Sequence, residues 1–206
     1  MTKQAEVEAT SAADQKRPEP HWWNIPNQIT ASRLVLSVVV FGLIEFQWYF
    51  WALLAFVIAA STDWVDGYWA RKYGLVTKLG RMFDPFVDKF IICGIFIFLA
   101  AAPSSGIAPW MAVLVVAREL LVTAIRGHVE KEGGDFSANQ AGKWKMVFQC
   151  VAAGLSLLSL HLADEAASWV LWTRFLAVWL AILTTIYSGA IYVGQAIRIL
   201  RSSSHI

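Results

Sequence analysis

Long apolar runs dominate this chain and leave few ways to fold it. WYFWALLAFVIAAST (48–62) and FIICGIFIFLAAA (90–102) are two of them. A spanning helix needs roughly 20 mostly apolar residues. Six spans are read on that basis, at about 28–46, 49–71, 84–102, 107–129, 143–162 and 168–199. The fold class is therefore all-α: a polytopic integral membrane protein with six transmembrane helices. Composition agrees. The 206 residues are 57% hydrophobic and only 16% charged, where a soluble domain carries about 25% charged residues. Mean hydropathy is +0.52. Heavy use of Trp suits a protein with two membrane–water interfaces.

The length suits one domain. Residues 1–20 are polar, contain Pro18 and Pro20, and lack the apolar core of a secretory signal. They read as a disordered N-terminal tail. The membrane domain is placed at 21–206. It opens with a short interfacial segment, about 21–27, that carries Trp22 and Trp23. The net charge of +2 is small and no basic stripe is present, which excludes a nucleic-acid binder. Cys93 and Cys150 lie far apart in apolar segments and read as buried thiols.

Lys and Arg set the orientation. Lys3, Lys16, Arg17, Arg71, Lys72, Lys78, Arg81, Lys131, Lys143, Lys145, Arg198 and Arg201 fall on one side of the proposed spans. The opposite connections, around Gln47, Pro103–Ala108 and His161–Ser168, contain neither residue, and Arg174 is the main exception. The positive-inside bias makes both termini and the 72–83 loop cytoplasmic.

Between the second and third spans stands DWVDGYWARKYGLVTKLGRMFDPFVDK (63–89), with four aspartates. Asp63 and Asp66 are three residues apart and Asp84 and Asp88 four apart, so each pair shares a helix face. Two antiparallel helices joined by a short loop would let both pairs converge at the cytoplasmic end. An aspartate at a helix centre in a membrane costs about 2.5–3.5 kcal/mol even on the lenient insertion scale. Divalent metal relieves that cost, and all-oxygen ligands suit Mg²⁺, Mn²⁺ or Ca²⁺. Gly67 and Ala70 are small enough for a ligand to approach the backbone, and Arg71 suits a phosphate. Structural readings stand beside these. Asp84 alone suits an N-cap, with Pro85 in the first turn. Asp63 or Asp66 alone suits an ion pair with Arg71.

Asp63, Asp66, Gly67, Ala70, Arg71, Gly80, Asp84 and Asp88 fit D-x2-D-G-x2-A-R-x8-G-x3-D-x3-D without departure. That resembles the signature of the CDP-alcohol phosphatidyltransferase family, and the six-span pattern resembles that family across the chain. The resemblance implies an enzyme with a cytoplasm-facing active-site cavity in the cell membrane of a bacterium, and a homodimer. It implies Asp63, Asp66 and Asp84 as ligands of a divalent metal pair, Mg²⁺ or Mn²⁺. Asp88 would touch the metal and also act as the base on the acceptor hydroxyl. Asn27, Gly67, Ala70, Arg71 and Gly80 would line the CDP part of a CDP-lipid. An alcohol then attacks the lipid-bearing phosphorus and CMP leaves.

The acceptor is read from other residues. Arg118 and Glu119 lie near the middle of the fourth span, where charge points to function. Arg126 follows eight residues later, and Lys143 and Lys145 open the fifth span. Arg118, Arg126, Lys143 and Lys145 would form a basic pocket for a second phosphate. Helix–helix polar contacts, a snorkelling Arg126 and ordinary topology charges are the structural alternatives. NIPNQITASR (24–33), RELLVTAIR (118–126) and GKWKMVFQ (142–149) resemble the corresponding parts of phosphatidylglycerophosphate synthases. That resemblance implies CDP-diacylglycerol and glycerol 3-phosphate as substrates. One departure is Met146, where those synthases commonly carry Thr. An inositol phosphate, serine or phosphatidylglycerol is the alternative acceptor. A divalent-cation transporter is the alternative outside enzymes, but its acids should continue towards the far side, and here they stop at one end.

Overall fold

The computed structural model describes residues 25–73, 78–131 and 140–203. Side chains of 63–73, 78–84 and a few other helical positions lie outside the described residues. The described chain is helical: α1 (Ile25–Glu45), α2 (Tyr49–Tyr73), α3 (Lys78–Ala101), α4 (Pro109–Lys131), α5 (Gln140–Leu162), a 3₁₀ turn (Ala163–Glu165) and α6 (Ser168–Ser203). Each expected span falls on one of these helices. Gly142–Glu165 and Ser168–Arg198 are each long and apolar enough to cross a membrane, and Tyr49–Thr62 is a shorter apolar stretch.

Helix ends follow backbone chemistry more than hydropathy. Pro26 sits in the first turn of α1 and Pro109 opens α4, where a missing N–H leaves no helical bond unmade. At the end of α1, Trp48 N–H donates to the Leu43 carbonyl at 2.8 Å and Gln47 N–H to the Ile44 carbonyl at 3.0 Å. Gln47 has φ 61°. This is a Schellman stop with glutamine at the left-handed position. The third helix begins earlier than hydropathy indicates, at Lys78 and not near 84. Asp84 is therefore an interior helical residue and no N-cap. Pro85 is interior as well, so the Arg81 carbonyl receives no helical N–H from it. The polar residues 78–83 continue the helix past its apolar stretch, because a helix does not stop where hydropathy falls. The expected interfacial segment, about 21–27, is cut likewise: Ile25–Asn27 already belongs to α1.

Side-chain contacts fix the topology. Arg33 meets Asp88, and Phe41 packs at Gly94, so α1 and α3 run parallel. Lys89 meets Thr123 across α3 and α4, and Gln149 meets Thr185 across α5 and α6. Trp110 faces Trp179 while Arg118 faces Tyr192, which makes α4 and α6 parallel. The result is an up-and-down bundle. Asp88, Thr123, Arg126 and Lys143 gather at one end, and Gln47, Ser104, His161 and Arg174 at the other.

The bundle is apolar outside and partly polar within. Val113, Leu120, Trp172 and Leu183 are 67%, 67%, 66% and 56% exposed, while Ser37, Gln149, Ser156, Thr185 and Ser188 are fully buried. Such a surface is consistent with a membrane protein, since lipid is as apolar as leucine and helices there associate by close packing and internal polar bonds. Gly94 shows the packing. The Phe41 ring stacks on Phe98 with centroids 5.1 Å apart and lies 5.5 Å from Phe90. A Cβ at Gly94, between those two phenylalanines, would stand 2.1 Å from the Phe41 ring. Glycine thus lets α1 lie close on α3, and two turns away the same contact sets Arg33 against Asp88.

At the opposite end Arg174 explains its own exception to the charge rule. Its Nη1 donates to the Ser104 carbonyl at 2.7 Å and to Ser159 Oγ at 2.9 Å. It ties the α3–α4 loop to α5 and α6, so its charge is spent on local bonds. Cys93 and Cys150 are only half-buried, less enclosed than the buried thiols expected from their apolar settings.

Candidate active site

A cavity of about 270 Å³ opens between α3, α4, α5 and α6 at the Asp88 end. Helical periodicity assembles its walls. From α3 come Pro85, Asp88, Lys89 and Ile92, the i, i+3, i+4 and i+7 positions of one face. From α4 come Arg118, Glu119, Val122, Thr123 and Arg126, and from α5 Gly142, Lys143, Lys145, Met146 and Gln149. Tyr192 of α6 closes the cavity. Gly142 leaves room for it, since a Cβ there would lie 3.2 Å from the tyrosine hydroxyl.

The sequence-predicted residues Asp88, Arg118, Arg126, Lys143 and Lys145 thus line one cavity. Asn27 lies in the first turn of α1. Asp63, Asp66, Gly67, Ala70 and Arg71 lie on the last turns of α2, and Gly80 and Asp84 on the first turns of α3. Their side-chain placement, and with it the convergence of all four carboxylates, lies outside the described residues.

Among the described residues the electrostatics are one-sided. Five described cations, Lys89, Arg118, Arg126, Lys143 and Lys145, line the cavity against two described carboxylates, Asp88 and Glu119. Glu119 Oε1 accepts from Arg118 Nη1 at 3.0 Å and also from Lys145 Nζ. All three side chains are more than nine-tenths buried. Buried charge is tolerated where it is paired, but one carboxylate cannot balance two cations. Arg118 spreads part of its charge over Tyr192, with Cζ 5.4 Å from the ring centroid. Lys89 Nζ donates to Thr123 Oγ1 at 2.6 Å, and that hydroxyl donates to the Glu119 carbonyl at 2.6 Å. The surplus positive charge suits a phosphate monoester, whose oxygens accept several charge-assisted bonds at once.

Asp88 is held differently. Its carboxylate is ion-paired to Arg33 of α1, whose side chain is 6% exposed. Arg33 was seen in the sequence only as part of NIPNQITASR. The signal that identifies it is a cation inside an apolar span, the same signal that singled out Arg118. Lys89 carries that signal too. Gln149 and Tyr192 carry none, because neither is charged and only packing brings them to the cavity.

Comparison with known proteins accords with this geometry. Residues 23–187 match the family model for CDP-alcohol phosphatidyltransferases. This chain belongs to the CDP-alcohol phosphatidyltransferase family. A Bacillus subtilis relative, named CDP-diacylglycerol--glycerol-3-phosphate 3-phosphatidyltransferase, is 34% identical over 198 residues, which covers 88% of this chain and 100% of the relative. A protein of the same name from Cereibacter sphaeroides is 31% identical over 74% of this chain and 73% of its own length. A Mycobacterium tuberculosis relative named as a probable phosphatidylglycerophosphate synthase is 36% identical over 85% of this chain and 82% of its own. As a CDP-alcohol phosphatidyltransferase the chain is an enzyme, and its cavity is the candidate site.

Proposed function

We propose that this enzyme transfers the phosphatidyl group of CDP-diacylglycerol to glycerol 3-phosphate, giving phosphatidylglycerophosphate and CMP. The observation that carries this reading is that Asp88 lines the same cavity as Arg118, Arg126, Lys143 and Lys145. An acceptor phosphate bound by those cations has its hydroxyl end within reach of a carboxylate. The names of the relatives support the same pair of substrates.

In this reading Asp88 takes the proton from the acceptor hydroxyl. The hydroxyl oxygen then bonds to the lipid-bearing phosphorus, and the bond from that phosphorus to the CMP oxygen breaks. A hydroxyl is a weak nucleophile, so a positioned base matters. Arg33 orients the Asp88 carboxylate. Arg118, Arg126, Lys143 and Lys145 bind the acceptor phosphate. Asn27, Gly67, Ala70, Arg71 and Gly80 would line the CDP part.

The donor chemistry of Asp63, Asp66, Asp84 and Asp88 suits a hard divalent ion: oxygen only, in two pairs each a turn apart on α2 and α3. These four would hold Mg²⁺ or Mn²⁺. A metal pair held there would supply positive charge for the pyrophosphate and for the departing CMP. We place all six helices across the cell membrane with the cavity facing the cytoplasm, where nucleotides are. The basic connections at that end support the orientation.

Purified protein, CDP-diacylglycerol and each of four labelled acceptors (glycerol 3-phosphate, an inositol phosphate, serine, phosphatidylglycerol) test the reading. Glycerol 3-phosphate should be incorporated with one CMP released per product. Selective use of another alcohol would remove the acceptor assignment and leave the reaction class.

A further inference from the structure

Five buried side-chain atoms find no hydrogen-bond partner among the described residues, and three of them belong to the cavity lining: Arg118 Nε, Arg126 Nε and Gln149 Oε1. Two are donors and one is an acceptor. A bare phosphate would satisfy the donors only. A ligand that satisfies all three accepts at one end and donates at the other, as a phosphate ester with a free hydroxyl does.

One proton decides which way the Gln149 amide faces. Thr185 Oγ1 donates to the Ala181 carbonyl at 2.6 Å. A hydroxyl has one proton, so towards Gln149 it acts as an acceptor. The atom 2.9 Å from it is accordingly Gln149 Nε2, and Oε1 is the atom left without a donor. Gln149 is fully buried. Leaving a buried acceptor unpaired is costly. Gln149 also stands four residues beyond Lys145 on α5, on the same face and one turn deeper into the bundle. A cation that binds phosphate and an acceptor that binds a hydroxyl are thus set one helical turn apart, within the span of a small polyol phosphate.

We propose that Gln149 is the specificity-determining residue for the acceptor: its Oε1 accepts a hydrogen bond from the acceptor's second hydroxyl, the one that is not the nucleophile. This rests on the acceptor-phosphate reading above. It explains why a neutral, orientation-fixed amide stands beside a cluster of cations, and it assigns the enzyme a preference for a polyol phosphate over a simple alkanol phosphate.

The test pairs a substrate deletion with a residue deletion. Full-length wild type and Gln149→Leu, in detergent with CDP-diacylglycerol, are compared on glycerol 3-phosphate and on 3-hydroxypropyl phosphate, which keeps the phosphate and the primary hydroxyl but lacks the middle one. Wild type should prefer glycerol 3-phosphate by about tenfold or more in kcat/KM, the range expected for one buried hydrogen bond. In Gln149→Leu that preference should fall to within about threefold of unity. Gln149→Met serves as a second variant should the leucine protein not fold. A purely structural Gln149 would lower both substrates equally and leave the ratio intact, and that result overturns the inference alone. A wild type that ignores the middle hydroxyl also overturns it. A wild type inactive on glycerol 3-phosphate overturns the acceptor reading, and the inference with it.

Discussion

At the scale of single residues, the two carboxylates of the described cavity lining are held differently. Asp88 is paired to Arg33 on α1, and Glu119 is shared between Arg118 and Lys145 on α4 and α5. In the proposed reading Asp88 serves the reaction and the Glu119 cluster serves the acceptor. Asp88→Asn keeps size and loses basicity, so turnover should nearly vanish while CDP-lipid binding survives better than in Asp66→Asn. Equal loss of binding in both variants would remove the division between base and ligand. Arg126→Gln deletes a cation from the cavity without touching the Glu119 pairings. The KM for glycerol 3-phosphate should rise about tenfold, the size of one charge-assisted bond, with a smaller effect on kcat. A change in kcat alone would contradict phosphate binding there. Glu119→Ala leaves Arg118 and Lys145 buried together without an anion, so thermal unfolding in detergent should show a loss of about 3 kcal/mol. An unchanged melting temperature would mean that the carboxylate does not balance them.

At the scale of the elements, helix packing brings these residues to their places. Gly94→Ala puts a methyl into the Phe41 ring. Overpacking of this kind costs about 1–3 kcal/mol, and the shift should also move Arg33 off Asp88, so stability and activity should fall together. Arg174→Gln breaks the clasp between the α3–α4 loop and α5 and α6. About 1–2 kcal/mol of stability should go, with the KM for the acceptor unchanged because Arg174 stands at the opposite end of the bundle. The helices themselves were legible in the sequence, since each expected span falls on one of them. Their ends were less so. Hydropathy marks the part of a helix that suits lipid, and α3 runs six residues further back through KLGRMF. Four of the cavity cations were legible, Arg118 and Arg126 as charge inside an apolar span and Lys143 and Lys145 at the opening of the fifth; Lys89 was not singled out, although it carries the same signal. Gln149 and Tyr192 were not, because neither carries charge and their role depends on which helices become neighbours.

At the scale of the molecule, an apolar exterior, a partly polar interior and charge gathered at one end form one arrangement. The described polar cavity lies towards the C-terminal end of α4 and the N-terminal ends of α3 and α5, and the opposite end carries short turns and the Arg174 clasp. In the proposed reading the cavity admits the water-soluble acceptor and the apolar flank meets the lipid donor, which is what transfer between the two phases requires. The identity of the acceptor decides which phospholipid this enzyme makes. It is tested most directly by incubating the purified protein with CDP-diacylglycerol, the four-acceptor panel and Mg²⁺ or Mn²⁺, with products weighed by mass spectrometry. Phosphatidylglycerophosphate should form as the product, in step with CMP. A phospholipid bearing a different alcohol, or metal flux in liposomes without CMP release, would contradict it.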